Sequence, residues 1–336
     1  MSWLYRAGLA FRRAFYAVGL IRSHRPQVPV VSIGNITAGG TGKTPLVEWV
    51  LKALPESLRN SGVVLTRGYG GKKGKNDETA QLSENMPEVK QLVGSNRVQN
   101  AKDAVRKHKA RFLVLDDGFQ HRRLVRELDI VLIDALAPFG YGCLVPRGLL
   151  REPLSALRRA NAFVITRSDQ VDGEKLKEIG EKLRSYNPEA VIAHARHAPT
   201  VLLVDGKKEE PQSLSSRKVF AFCGIGNPEG FRKTLEALGA EIAAFEALGD
   251  HEPYLQPVRE RLSAAAGESG AEMIVTTQKD AVKLRGFDWP LPFGELRVEI
   301  EVTKNENALR RTVLDIFGVE DSRVNSAGEP TKADSP

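Results

Sequence analysis

VPVVSIGNITAGGTGKTPLV, residues 28–47, passes from an apolar strand through a glycine-rich loop into the start of a helix. In that layout GGTGKT is a cradle for nucleotide phosphates. Gly39, Gly40 and Gly42, with Thr41 between them, allow the tight turns that point successive backbone N–H groups at phosphate oxygens. Lys43 supplies a flexible cation for the β- and γ-phosphates of ATP, and Thr44 a hydroxyl ligand for Mg²⁺. The helix that follows adds its N-terminal dipole, and Leu46, Val47, Val50 and Leu51 give it an apolar face. The full eight-residue pattern opens on glycine, whereas Thr37 holds that place here.

Outward from the loop, composition sets the class. The 336 residues, 41% hydrophobic and 27% charged, suit a globular protein with a sizeable core and room for two domains. Cys143 and Cys223 lie far apart and form neither a metal cluster nor a disulfide framework, so a reducing compartment is expected. The net charge of +7 is unevenly spread: no Asp or Glu precedes Glu48, while Arg6, Arg12, Arg13, Arg22 and Arg25 crowd the first stretch. On a helical wheel Trp3, Leu4, Ala7, Phe11, Ala14, Phe15 and Val18 share a face opposite Arg6, Arg12 and Arg13, with Leu9 and Tyr16 blurring the polar side. Its apolar runs are too short to span a bilayer. A basic, aromatic, acid-free amphipathic helix over residues 1–25 suits an anionic membrane surface; the alternative is a terminal helix packed on its own domain. No helix-turn-helix, zinc or stacking motif supports nucleic-acid binding.

Apolar runs alternate with helical patterns, which predicts an α/β protein with a parallel sheet covered on both faces. Strands are expected at 28–33, 62–66, 111–115, 128–133 and 162–166, then at 190–194, 218–223, 241–245, 273–277 and 296–302. Helices are expected at 173–186, 229–238, 257–265 and 305–317. A nucleotide-binding core over 26–170 and a second α/β domain over 171–317 follow, with a polar, disordered tail from 318 to 336.

Further constellations lie on the ends of these runs. Asp116 and Asp117 close an apolar strand, where phosphate-loop enzymes hold Mg²⁺, although Asp-Gly is also a common turn pair. His121, Arg122 and Arg123 follow at once, which a plain turn would not require. Arg67 opens a glycine- and lysine-rich stretch that reads either as a substrate or nucleotide loop or as solvated surface. Asp77 lies in a polar region expected to be irregular. His251, in GDH, is either a proton acceptor or an exposed loop histidine, and PRGLLREP around Arg151 is a rigid basic turn able to clamp an anion.

Taken in order, GNITAGGTGKTPLV, TRGYGG, NDE, LDDGFQHRRL, PRGLLREPL, FCGIGNPEGF, GDHEPY and TQKDAVKL resemble the tetraacyldisaccharide 4′-kinases from about residue 3 to 317. The resemblance implies a P-loop NTPase-like α/β/α sandwich with a second, smaller α/β/α domain joined by a β linker. It implies transfer of the ATP γ-phosphate to the 4′-hydroxyl of a tetraacylated glucosamine disaccharide 1-phosphate, with Mg²⁺, at the cytoplasmic face of the bacterial inner membrane. By the same resemblance Lys43 and Thr44 match the phosphate-loop pair, Asp116 and Asp117 the metal-site acids, and Asp77 and His251 the catalytic acid and its partner histidine. Arg151 matches the arginine of the LREP motif and His121 the end of DDGFQH. Asn76 and Thr79 replace the Gly and Pro flanking the family's acid, and Gln278 replaces a usual Glu. Asp77 is expected to take the hydroxyl proton while His251 orients it. A membrane-associated partitioning ATPase is the rival reading; those proteins place a signature lysine before the glycine pair, where Ala38 stands here.

Overall fold

The computed structural model of the chain describes residues 2–68, 77–250 and 252–320; the side chains at 2–4, 7, 13, 17, 77 and 78 lie outside that description. After α1 (Ser2–Ala17) come β1 (Val30–Asn35), α2 (Lys43–Ala53), the one-turn α3 (Glu56–Arg59), β2 (Gly62–Thr66), α4 (Asp77–Asn85) and β3 (Lys90–Val93). They are followed by α5 (Arg97–His108), β4 (Phe112–Asp116), β5 (Leu128–Asp134), β6 (Ala162–Thr166) and α6 (Gly173–Tyr186). The remainder comprises β7 (Val191–Val204), β8 (Lys207–Glu209), β9 (Lys218–Cys223), α7 (Pro228–Ala237), β10 (Glu241–Ala247) and α8 (Gln256–Glu268). Last are β11 (Met273–Thr277), α9 (Gln278–Leu284), β12 (Phe293–Lys304) and α10 (Glu306–Asp315).

All strands join one sheet in the order β10-β9-β11-β12-β7-β6-β5-β1-β4-β2-β3, with β8 on β7. From β3 to β7 every pairing is parallel, as are those among β10, β9, β11 and β12. The seam is the antiparallel ribbon of β7 and β12, running from Gly294 opposite Val204 to Lys304 opposite His194. Strands buried on both faces read as unbroken Val/Ile/Leu runs, and β1, β2, β4 and β6 are buried at every residue.

The phosphate-loop helix is fixed across that seam. Leu46, Val47, Val50 and Leu51 of α2 pack in one cluster with Val114 and Leu132 of the first series, Ile300 and Val302 of β12, and Leu309 and Val313 of α10. Each such side chain stabilises by about 1.5–3 kcal/mol when withdrawn from water, so α2 is bound as firmly to the seam as to its own strands.

Two expectations need correction. The polar region around Asp77 is not irregular: α4 starts there, burying Thr79, Gln81 and Leu82, and β3 follows as an edge strand. The strand read at 190–194 is only the start of β7, which runs on to Val204, and that read at 296–302 extends at both ends to Phe293–Lys304, because the two pair with each other outside the parallel layer. Residues 69–76, His251 and the tail from 321 lie outside the described residues.

Candidate active site

β1 lies between β4 and β5, with Ile33 opposite Asp116, so the acidic end of β4 comes level with the start of the glycine loop. The loop is anchored from three directions. The Asn35 amide donates to the Thr41 hydroxyl at 3.0 Å inside the protein. Ala38 N–H donates to the Leu149 carbonyl at 2.7 Å, and Arg151 N–H donates to the Ile36 carbonyl at 2.8 Å, which brings the PRGLLREP turn against the loop. Arg167 donates to the Asp134 carboxylate at 2.5 Å and to the Gly40 carbonyl at 2.8 Å.

Glycine is required at two of these positions. Gly42 has φ +90°, and a Cβ on it would lie 2.5 Å from Nε2 of His197. A Cβ on Gly226, in the loop after β9, would lie 2.4 Å from the Gly40 nitrogen, so the two loops are in backbone contact. His197 on β7 is half-buried in the wall of the cleft beside the glycine loop; burial, then Arg167, pushes its pKa down to about 3 and keeps it neutral.

The charged centre is a short chain of groups. Lys43 Nζ is 3.8 Å from the Asp117 carboxylate, and Arg151 donates to both Asp117 oxygens at 2.9 Å. Burial would raise the Asp117 pKa, but Lys43 and then Arg151 outweigh it and hold the carboxyl below its ordinary range. Asp117 takes φ +51°, which turns its side chain off the strand, and Arg97 braces the turn by donating to the Asp116 and Asp117 carbonyls at 2.5 and 2.8 Å.

Two clefts meet at this centre. One, between the glycine loop and the second series of elements, is lined by Lys43, Thr44, Gln170, Asn227, Phe231 and Thr277. The other lies under α1 and gathers Arg12, Arg67, Arg97, Arg122, Arg123 and Arg151 around Asp117 and His121. Tyr5, Leu9, Arg12 and Tyr16 line it from α1, at helical spacing. Leu9 and Tyr16, which blur the polar face on the wheel, thus belong to the stripe facing the protein. Tyr16 stacks under Arg122 at 4.5 Å, Tyr5 donates to the Arg151 carbonyl at 3.0 Å, and Arg12 donates to the Gln120 carbonyl. His121 is held neutral, its pKa down at about 4 through burial and then Arg97, Arg126, Arg123 and Arg12.

The donor chemistry fits Mg²⁺. The ion takes oxygen ligands and shares them with substrate phosphates, and the ionised Asp117, Asp116 and the Thr44 hydroxyl supply that set. Among the described residues no cluster of three or more His, Cys, Asp or Glu is placed to hold a metal.

Lys43 and Arg151 are therefore brought together on Asp117, with Thr44 and Asp116 next to them in the chain, and Arg67 and His121 line the same cleft as Asp117. Asp77 opens α4, but its side chain and the whole of His251 lie outside the described residues. Sequence reasoning missed Arg97 and His197. Arg97 is a lone arginine in a polar stretch and His197 a strand histidine, and neither carries a motif.

The profile of the tetraacyldisaccharide-1-P 4′-kinases matches residues 1–317. The tetraacyldisaccharide 4′-kinase of Syntrophus aciditrophicus is 40% identical over 347 residues, covering 94% of this chain and 91% of that one. That of Halothermothrix orenii is 37% identical over 340 residues, with 92% and 88% covered. Among solved structures, LpxK from Aquifex aeolicus in complex with ATP superposes with a TM-score of 0.70 at 28% identity, covering 94% of this chain and 97% of that one. The chain belongs to the tetraacyldisaccharide-1-P 4′-kinase family.

Proposed function

We propose that this protein transfers the γ-phosphate of ATP to the 4′-hydroxyl of a tetraacylated glucosamine disaccharide 1-phosphate. The observation that carries the reading is the position of Asp117, between Lys43 and Arg151 and at the meeting point of the two clefts. One cleft offers backbone N–H groups, Lys43 and a helix N-terminus, the chemistry of a triphosphate tail. The other offers six guanidinium groups beside an amphipathic helix, the chemistry of a phosphorylated glycolipid.

Phosphoryl transfer is achieved mostly by positioning and by neutralising charge on the moving group. Gly39, Gly40, Thr41 and Gly42 wrap the phosphates, while Lys43 and Arg151, both paired with Asp117, supply positive charge to the γ-phosphate. Asp116, Asp117 and Thr44 would hold Mg²⁺, which when bound neutralises phosphate charge and keeps the triphosphate in place. Asp77 accepts the proton of the attacking hydroxyl and His251 orients or shares charge with it. Arg67 and His121 support the acceptor; His121, being neutral, offers its ring nitrogens as hydrogen-bonding groups rather than as a cation.

The protein belongs at the cytoplasmic face of the inner membrane as a peripheral protein. Among the described residues no helix is long and apolar enough to cross a bilayer. Phe11, Val18 and Leu20 are 66%, 68% and 72% exposed on and just after α1, beside the arginine-lined cleft. A lipid acceptor drawn from an anionic surface would enter there.

The test is ADP release with and without a tetraacylated disaccharide 1-phosphate. Acceptor-dependent release is expected, and equal release in its absence would contradict a kinase.

A further inference from the structure

The motif TQKDAVKL lies at the end of β11 and forms α9, a helix of two turns with unusually diverse partners. On one side Gln278, itself buried, exchanges hydrogen bonds with Asn85 at the end of α4: the Gln278 amide donates at 2.8 Å and the Asn85 amide donates back at 3.2 Å. The same Asn85 amide donates to both oxygens of Glu48 on α2, at 2.9 and 3.1 Å. Burial of Glu48 raises its pKa to about 7, against the lowering effect of that amide.

On its other side α9 grips the loop that contains His251. Lys279 pairs with Asp250 at 3.1 Å, and Lys283 donates to the Glu252 carbonyl at 2.9 Å. Asp280 is fully buried, and its carboxylate accepts from the Gly224 N–H at 3.0 Å and from the Thr277 hydroxyl at 2.7 Å. Tyr254 is enclosed beside it at φ +52°, and burial together with Asp280 keeps its phenol protonated. A Cβ on Gly224 would fall 3.0–3.1 Å from Glu252, Gly249 and Tyr254, so the Gly224 loop and the Gly249–Tyr254 loop interlock. Two residues on, Gly226 touches the glycine loop at Gly40.

We propose that α9 is the positioning element of the reaction: through Asn85 it sets the helix that begins at Asp77, and through Lys279, Asp280 and Lys283 it sets the loop that carries His251. One short helix thereby ties the end of α4 and the residues on either side of His251 to the Gly224–Gly226 loop, which touches the phosphate loop at Gly40. This rests on the assignment of Asp77 and His251 made above. Asn85 and Lys283 act through other residues and are positioning residues; neither lines the nucleotide cleft.

Asn85→Ala and Lys283→Met test this in the full-length protein with ATP and the acceptor. Since misplacement of a reacting group by about an ångström costs up to roughly 10²-fold, each change is expected to lower kcat by about ten- to a hundredfold. The KM for ATP should stay within about twofold. In a His251→Ala background Lys283→Met is expected to cost nothing further, because it acts through that loop. The inference is overturned if kcat of both variants matches the parent, if their loss lies in the KM for ATP, or if Lys283→Met costs the same factor with and without His251. Full turnover by His251→Ala itself would remove the underlying assignment and the inference with it, and is told apart by that single variant alone.

Discussion

The two clefts that meet at Asp117 are built in opposite ways. The phosphate cradle of the nucleotide side is one contiguous stretch, residues 36–45, with two left-handed glycines and a helix start, although the outer wall of that cleft reaches to Gln170, Asn227 and Thr277. The acceptor side draws its arginines from α1, the end of β2, the start of α5, the turn after β4 and the PRGLLREP turn. A backbone site is specified by local geometry and so leaves a motif. A side-chain site assembled over more than a hundred positions of sequence leaves scattered arginines that look like surface charge. The nucleotide cradle is also held rigidly by α2 across the seam, whereas α1 rests on the cleft through a stripe of four residues.

The largest expected effect falls on the proposed catalytic pair. Asp77→Ala and His251→Ala should each lower turnover by roughly 10²–10⁴-fold, the usual contribution of general-base help, while ATP binding persists. Steady-state kinetics with a nucleotide-binding measurement checks this. Lys43→Ala follows, with a loss of about 10²–10³-fold in kcat, the scale for deleting one preorganised charge donor. Arg67→Ala separates the two sides: removal of one charged hydrogen bond is worth about 1.5–3 kcal/mol, so KM for the acceptor should rise by about tenfold or more while KM for ATP is unchanged. If ATP affinity moves instead, the arginine cleft does not serve the acceptor.

Two effects away from the reacting groups sharpen the contrast between rigid and docked regions. Phe11→Ser with Val18→Ser should lower the partition constant onto anionic vesicles by about a hundredfold or more, given about 1.5–3 kcal/mol per fully buried side chain. An unchanged constant removes α1 as the membrane contact. Behind the nucleotide cradle, Glu48 titrates near 7 in the fold against an ordinary 4.5. The folded state therefore binds more protons between those values, and its contribution to stability falls as pH rises from about 4.5 to about 7. Glu48→Gln should flatten that part of the stability curve in denaturant titrations, and an identical slope would show that Asn85 keeps the carboxylate ionised.

How legible the molecule is from its residues follows the same division. β2, β6, β9 and β11 coincide with their apolar runs, since strands buried on both faces have nothing else to be. α5 escapes notice because its buried apolar residues are only Ala101 and Ala104, too small to mark a face in a helix whose other residues are nearly all polar. α4 escapes for a similar reason, with Leu82 its main apolar anchor. The reach of β7 and β12 is hidden because their seam carries His194, Arg196, His197, Glu299 and Glu301, polar residues that break the apolar pattern and include the exposed cross-strand pair Arg196–Glu301 at 2.8 Å. In the site, Lys43, Asp117 and Arg151 were each visible in a motif, but their convergence on one carboxylate depends on the Ile36–Arg151 pairing, which no local pattern encodes.

The central claim is that a phosphate crosses from the glycine cradle to a lipid sugar past Asp117. Mass spectrometry of the lipid recovered after incubation with ATP and a tetraacylated disaccharide 1-phosphate measures this directly, with fragmentation locating the added group. A product carrying a second phosphate on the 4′-hydroxyl, formed about 10²–10³-fold more slowly when Lys43→Ala replaces the parent, is the expected result. Unmodified lipid alongside consumed ATP would contradict the account.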